Sequence, residues 1–192
     1  MCKESIPVNV QSFTYKYLWV AVKANMDAVE HLPKKAGFLH LAAMTLAFFT
    51  LEAYLNHLGE LLFPKVWKDE KEKFKGSGTL GKLDFLLEQC RAENLCKGQP
   101  PYQSAKELEG LRKLVAHGRT ERFTEIVKAM PGELPPLVEA DLTNRVSPEI
   151  AKRNIRSVEE IIRHLHKAAK STFPRKHLET DPLGPILGWQ DT

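Results

Sequence analysis

The sequence is poor in cysteine, nearly balanced in charge and without a long hydrophobic run. Its three cysteines, Cys2, Cys90 and Cys96, are an odd number in a chain of 192 residues. The Cys90–Cys96 spacing is wider than the C-x2-4-C of zinc sites, and no second ligand pair accompanies it. These features argue against a disulfide scaffold and a structural metal, and they predict free thiols in a reducing compartment. Lys+Arg number 28 against 24 Asp+Glu, and the net charge of +4 is too small to announce nucleic acid by itself. A membrane span needs about 20 apolar residues. The longest uncharged apolar stretch, 36–51, is shorter and carries His40, Thr45 and Thr50. The N-terminus has no basic-then-apolar run ending in small residues, so no signal peptide is expected. A glycine-rich phosphate loop, a dinucleotide fingerprint and a Ser-His-Asp signature are also missing, so no cofactor is expected. The expectation is a soluble, cytoplasmic chain without a membrane partner.

What is present is an ordinary globular mixture, 43% apolar and 27% charged. A chain of this size buries about 70% of its unfolded surface and needs no staple. Twelve prolines divide it into long proline-free runs, the natural helix territories. Phe13 to His31 is read as a helix with an inward stripe of Phe13, Tyr17, Val20, Ala24 and Ala28. Lys35 to Phe63 is apolar almost all round at first and then on one face, as in the central helix of a bundle. Val66 to Lys75 is a short amphipathic piece, and Leu80, Leu83, Leu86 and Leu87 mark another helix to about Cys90. Ser104 and Glu107 form a capping-box pattern for a helix that runs to His117, with Gly118 at C′. Thr120 to Met130 reads as a shorter helix. Ser147-Pro148-Glu149 opens the last long helix, to about Lys170, with Ile155, Val158, Ile162, Leu165 and Ala169 facing inward. Phe13, Tyr15, Tyr17 and Trp19 alternate as a strand would, but their segment is too long for a typical strand, and nothing resembles a sheet. The fold class is all-α: an antiparallel helical bundle of four or five main helices plus short ones. Residues 1–172 form the helical domain, and 173–192 a loosely docked tail containing Pro and Gly.

One segment, Leu108 to Gly118, carries chemistry. Arg112 and His117 lie five steps apart at the end of a helix, about 140° around its axis. They cannot face one small substrate unless the helix end relaxes. A two-fold dimer is another solution, because both copies of the helix end can meet at the axis. A groove lined by two arginines and two histidines suits RNA cleavage without a metal. A neutral imidazole takes the ribose 2′-OH proton, and an arginine stabilises the phosphate. The spacing alone is common, and a surface arginine with a helix-capping histidine has the same pattern. The basic residues of the last helix, Arg153 and Arg156 among them, are candidate phosphate contacts or a solvated face. Across 152–177 there are 8 basic side chains against 2 acidic. His164 and His166 lie about 200° apart on a helix and make poor co-ligands for a metal. His40 and His57 read as core or interface histidines.

Three stretches together carry a family resemblance. Leu46 to Asn56 resembles the second helix of the HEPN superfamily (higher eukaryotes and prokaryotes nucleotide-binding), with Glu52 and Asn56 as its polar pair. Leu80 to Leu87 resembles the amphipathic helix that follows. Tyr102 to His117 resembles the helix bearing the hallmark Arg-x(4–6)-His. The resemblance spans roughly residues 12–170. It implies a helical bundle, a homodimer and a composite site in which Arg112 and His117 take the catalytic positions. Glu52, Asn56 and Lys113 would support them, and Arg119, Arg153 and Arg156 would bind RNA. It also implies a metal-independent endoribonuclease of a toxin–antitoxin or defence system, with an antitoxin or nucleotidyltransferase as partner. Catalytic members often place Asn, Asp or His directly after the arginine, where this chain has Lys113. A non-catalytic RNA- or nucleotide-binding module and a protein-interaction subunit are the alternatives.

Overall fold

The computed structural model describes residues 12–92, 95–118, 142 and 145–185. Among them there is no strand, and five helices carry the architecture: α1 (Thr14–His31), α2 (Ala36–Leu62), α5 (Gly78–Gln89), α6 (Tyr102–Ala116) and α7 (Pro148–Thr172). Two single-turn pieces, α3 (Pro64–Trp67) and α4 (Glu70–Lys73), link α2 to α5. The helix expected at 120–130 lies outside the described residues, as do Cys2, Arg119 and Trp189.

α2 is the axis of the bundle and packs against α1, α5, α6 and α7. Its apolar circumference is the reason, since Ala43, Ala47, Leu51, Leu55 and Leu58 are all fully buried. By length and composition the stretch from Pro33 to Leu62 is long and apolar enough to cross a membrane, and half of its most apolar 18-residue window is buried inside the bundle. Core helices of soluble bundles share that property. α1 runs antiparallel to α2 and α6 to α7, whereas α5 runs parallel to α2, with Lys82 at Asn56 and, farther along both, Phe85 at Phe63. The start of α1 meets the end of α2, with the Phe13 and His57 rings 5.2 Å apart, and Ser104 of α6 meets Ser157 of α7. The pair α2 and α7 also runs parallel. Met44 and Asn154 border one cavity, and farther along both helices Tyr54 meets His166.

The start of α7 follows the sequence pattern. The Ser147 hydroxyl accepts from the Ile150 N–H at 3.2 Å, Pro148 is at N1, and the five inward residues are buried. Three local expectations are corrected. In α1 the buried side chains are Tyr15, Lys16, Trp19 and Val22, while Tyr17 and Val20 are 42% and 40% exposed. α1 carries two apolar stripes, and the one bearing Trp19 and Tyr15 removes more surface from water. α6 starts at Tyr102, with Pro101 as its N-cap and no side-chain cap. Ser104 is therefore inside the helix, and Glu107 reaches across to Arg153. Gly118 follows the helix without the positive φ of a left-handed C′ residue.

The segment after α7 is anchored rather than loose. Lys16 Nζ lies 2.5 Å from Glu179 Oε2, Arg163 donates to Asp181 Oδ1 at 2.7 Å, and Leu183 is buried. Beneath them His166 bridges the tail to the core. A carbonyl only accepts, so His166 Nε2–H donates to Glu179 O at 2.7 Å and Nδ1 accepts from the Tyr54 hydroxyl at 3.1 Å. Burial lowers the pKa of His166, and the neutral ring suits both contacts.

Candidate functional site

A cavity of about 270 Å³ opens between α2, the α4–α5 corner and α6. Its most deeply buried lining is Phe48, Thr79, Phe74 and Lys82. Glu52, Glu70, Glu109 and Arg112 are its half-buried walls, and Lys71, Gly78 and Lys113 form the exposed rim. The fold thus brings Glu52, Arg112 and Lys113 to one space, although they come from helices far apart in sequence.

Each side chain is held by its element. Glu52 projects from α2 one turn beyond Phe48. Arg112 stands in the last two turns of α6, beside the buried Leu111 and Leu108 that fix the helix. Lys113 donates to Glu109 Oε2 at 3.0 Å, an i,i+4 pair on the same helix. Lys82 is only 8% exposed, and its ammonium donates to Glu70 Oε2 and to Asn56 Oδ1, both at 2.7 Å. It cross-links α5 to α4 and α2. Asn56 also accepts from Trp67 Nε1 at 3.4 Å, so it serves the scaffold behind the cavity rather than its lining.

Among the described residues, Glu52 and Arg112 form no ion pair with each other or with a third residue. The cavity therefore combines an unpaired carboxylate, an unpaired guanidinium and two phenyl rings, next to two charge pairs that neutralise themselves. Such a space accepts a ligand with N–H donors on one side, acceptor oxygens on another and a flat body.

His117 is the C-cap of α6, exposed, with φ −119° and ψ 23°. The chain leaves the helix at that residue. His117 does not line the cavity, and its backbone N–H donates to Lys113 O at 3.0 Å. Within one chain, Arg112 lines the cavity and His117 is exposed to solvent.

The remaining candidates lie on α7. Arg153 pairs with Glu107 and donates to Asn154 Oδ1 at 3.3 Å, at a second cavity of about 210 Å³ between α2, α6 and α7. Of the other basic residues on this helix, Arg163 is taken up by Glu159 and Asp181, and Lys170 donates to Glu179 O. Lys152, Arg156 and Lys167 are exposed and fall within about 60° of one another around the axis. Their face is the open cationic strip of the helix.

The sequence reading passed over Lys82, Glu70 and Glu109. Lys82 left a signal, because it occupies the second place in the stripe 79, 82, 83 and 86, an i, i+3, i+4, i+7 core pattern. A lysine in such a stripe requires a buried partner. Glu109 left none, since an i,i+4 Glu–Lys pair is the commonest decoration of an exposed helix face. Among the described residues no group of three or more His, Cys, Asp or Glu side chains is set to hold a metal ion. No family model, curated protein or solved structure matches the chain.

Proposed function

We propose that the protein is a HEPN-like RNA-acting module of the cytoplasm, cutting RNA without a metal at a composite site built by two copies. The observation that supports this reading is the placement of Arg112 and Glu52 on one cavity, at the helix end where His117 is exposed. Two such ends meeting at a two-fold axis would put both histidines and both arginines along one groove. His117 of one copy takes the proton of the ribose 2′-OH as that oxygen bonds to the adjacent phosphorus. The bond from phosphorus to the 5′-oxygen breaks, and His117 of the second copy gives that oxygen its proton. The products are a 2′,3′-cyclic phosphate and a 5′-OH. Arg112 pairs with the phosphate oxygens, whose charge rises in the transition state. Lys152, Arg156 and Lys167 extend the positive track for the backbone.

The experiment is RNA cleavage in EDTA by the purified chain. His117→Ala and Arg112→Ala each lower the rate by about 10²–10⁴. Equal rates in wild type and His117→Ala overturn the catalytic assignment. A second reading is favoured by the outward position of His117 and by Lys113, whose ammonium is spent on Glu109. In it, the same cavity belongs to a non-catalytic RNA-binding module working with an antitoxin-like or nucleotidyltransferase partner. That module retains RNA, loses it steeply as salt rises, and leaves it uncut.

A further inference from the structure

The cleavage chemistry uses the mouth of the α2–α6 cavity and leaves its interior without a task. That interior is specific in composition. Phe48 and Phe74 give it flat apolar surface. Of its three wall carboxylates, Glu70 and Glu109 are neutralised by Lys82 and Lys113, at 2.7 and 3.0 Å. Glu52 has no such partner among the described residues. A half-buried carboxylate beside aromatic rings calls for N–H donors, because losing water without replacing its hydrogen bonds is costly.

We infer that the cavity receives one unstacked guanine base of the RNA, with the Glu52 carboxylate accepting from guanine N1–H and the exocyclic N2 amino group. Arg112, which lines the same cavity from α6, holds the adjacent phosphate. The inference rests on the RNA-acting reading and deepens it. Guanine alone among the four bases presents two donors side by side on its Watson–Crick edge, matching the two oxygens of a carboxylate. Adenine and cytosine offer one amino group beside a ring nitrogen whose lone pair repels the carboxylate. Uracil offers a single N–H between two carbonyls. Single-stranded RNA is commonly read this way, with a splayed base against aromatic side chains and hydrogen bonds to its edge. The volume of about 270 Å³ lies just below the ~300–1,000 Å³ of small-molecule pockets, a size for one base rather than a run of nucleotides.

The test is equilibrium titration of the full chain with the 3′-monophosphates of guanosine, inosine, adenosine, cytidine and uridine. Guanosine 3′-monophosphate binds most tightly, and inosine 3′-monophosphate, which lacks only the N2 amino group, binds about tenfold more weakly. Glu52→Gln removes this preference, while Arg112→Ala weakens all five nucleotides alike. Equal affinity for the guanosine and inosine nucleotides in wild type, or a preference for another base, overturns the inference. The inosine comparison decides even where Glu52→Gln does not fold. Mapping of cut sites separates the two claims. His117-dependent cleavage with no guanine at the cut overturns the base pocket and leaves the RNA reading standing. Guanosine binding with the inosine discrimination, but no RNA retained or cut, leaves the pocket standing and overturns the RNA reading.

Discussion

Lys82 illustrates what a single side chain does for the site. Its side chain is 10% exposed and its ammonium holds Glu70 and Asn56, so three helices depend on one cation. Lys82→Ala leaves an acceptor on each side without its donor. The Glu70 side chain is 29% exposed and recovers water, so the expected cost is modest, about 1–2 kcal/mol in a urea titration. Lys82→Met, which keeps the packed stem, costs less than Lys82→Ala. A variant as stable as wild type would show that the cross-link is ornamental. At this scale the sequence was informative where a residue type is rare in its setting. Arg112, His117 and Glu52 stood out because a family pattern singled them out, and Lys82 could have been found from its place in a core stripe. Glu109 and Glu70 could not, because their meaning comes from side chains on other turns and other helices.

Among the elements, α2 sets the tightest constraint, at Gly59. A Cβ built there would lie 2.1 Å from the Trp67 indole, so the helix and the α3 turn touch where no side chain fits. Gly59→Ala forces the indole or the turn aside and costs about 1–3 kcal/mol. Gly37→Ala in the same helix meets nothing within 4 Å and is neutral or stabilising by up to about 1 kcal/mol. Thermal melts of the two variants check the contrast, and equal melting points contradict the close approach. Helix existence was readable throughout the described residues because proline spacing and 3.6-residue periodicity both report on it. Boundaries and faces were less readable. α1 offered two apolar stripes, and only the partner surface, Tyr54 and His57 on α2, decides that Tyr15 turns inward. The Ser104–Glu107 pattern mimicked a cap because both residues serve contacts to α7 that lie about fifty positions away in sequence.

The whole molecule is closed by its last described residues. A chain ending at Thr172 loses Glu179, Asp181 and Leu183, leaving Lys16 without its ion-pair partner and His166 Nε2 without its acceptor, and is destabilised by at least about 2 kcal/mol. A urea titration of this truncation checks it, and an unchanged midpoint would mean that the segment contributes nothing. Acid acts on this region through His57 and His166, and on the start of α2 through His40. His40, His57 and His166 all have folded pKa values lowered by burial, so the unfolded chain binds more protons below pH 6.5. Stability is fully present above that pH and falls as the pH drops through the folded values. Replacing His166 flattens this slope, which melts between pH 7.5 and 5 measure. Association belongs to this scale too, and the proposed composite site predicts a dimer at micromolar concentration in sedimentation. The closing contacts also say how the molecule yields to force. One of them, Lys176 to Leu61 O, joins partners 115 positions apart, and the contacts follow one another along the segment rather than across a sheet. A motor that tows the chain from beyond Pro185 meets them one at a time, as a peel. The first step costs little force, and resistance begins only when the pull reaches the buried stripe of α7.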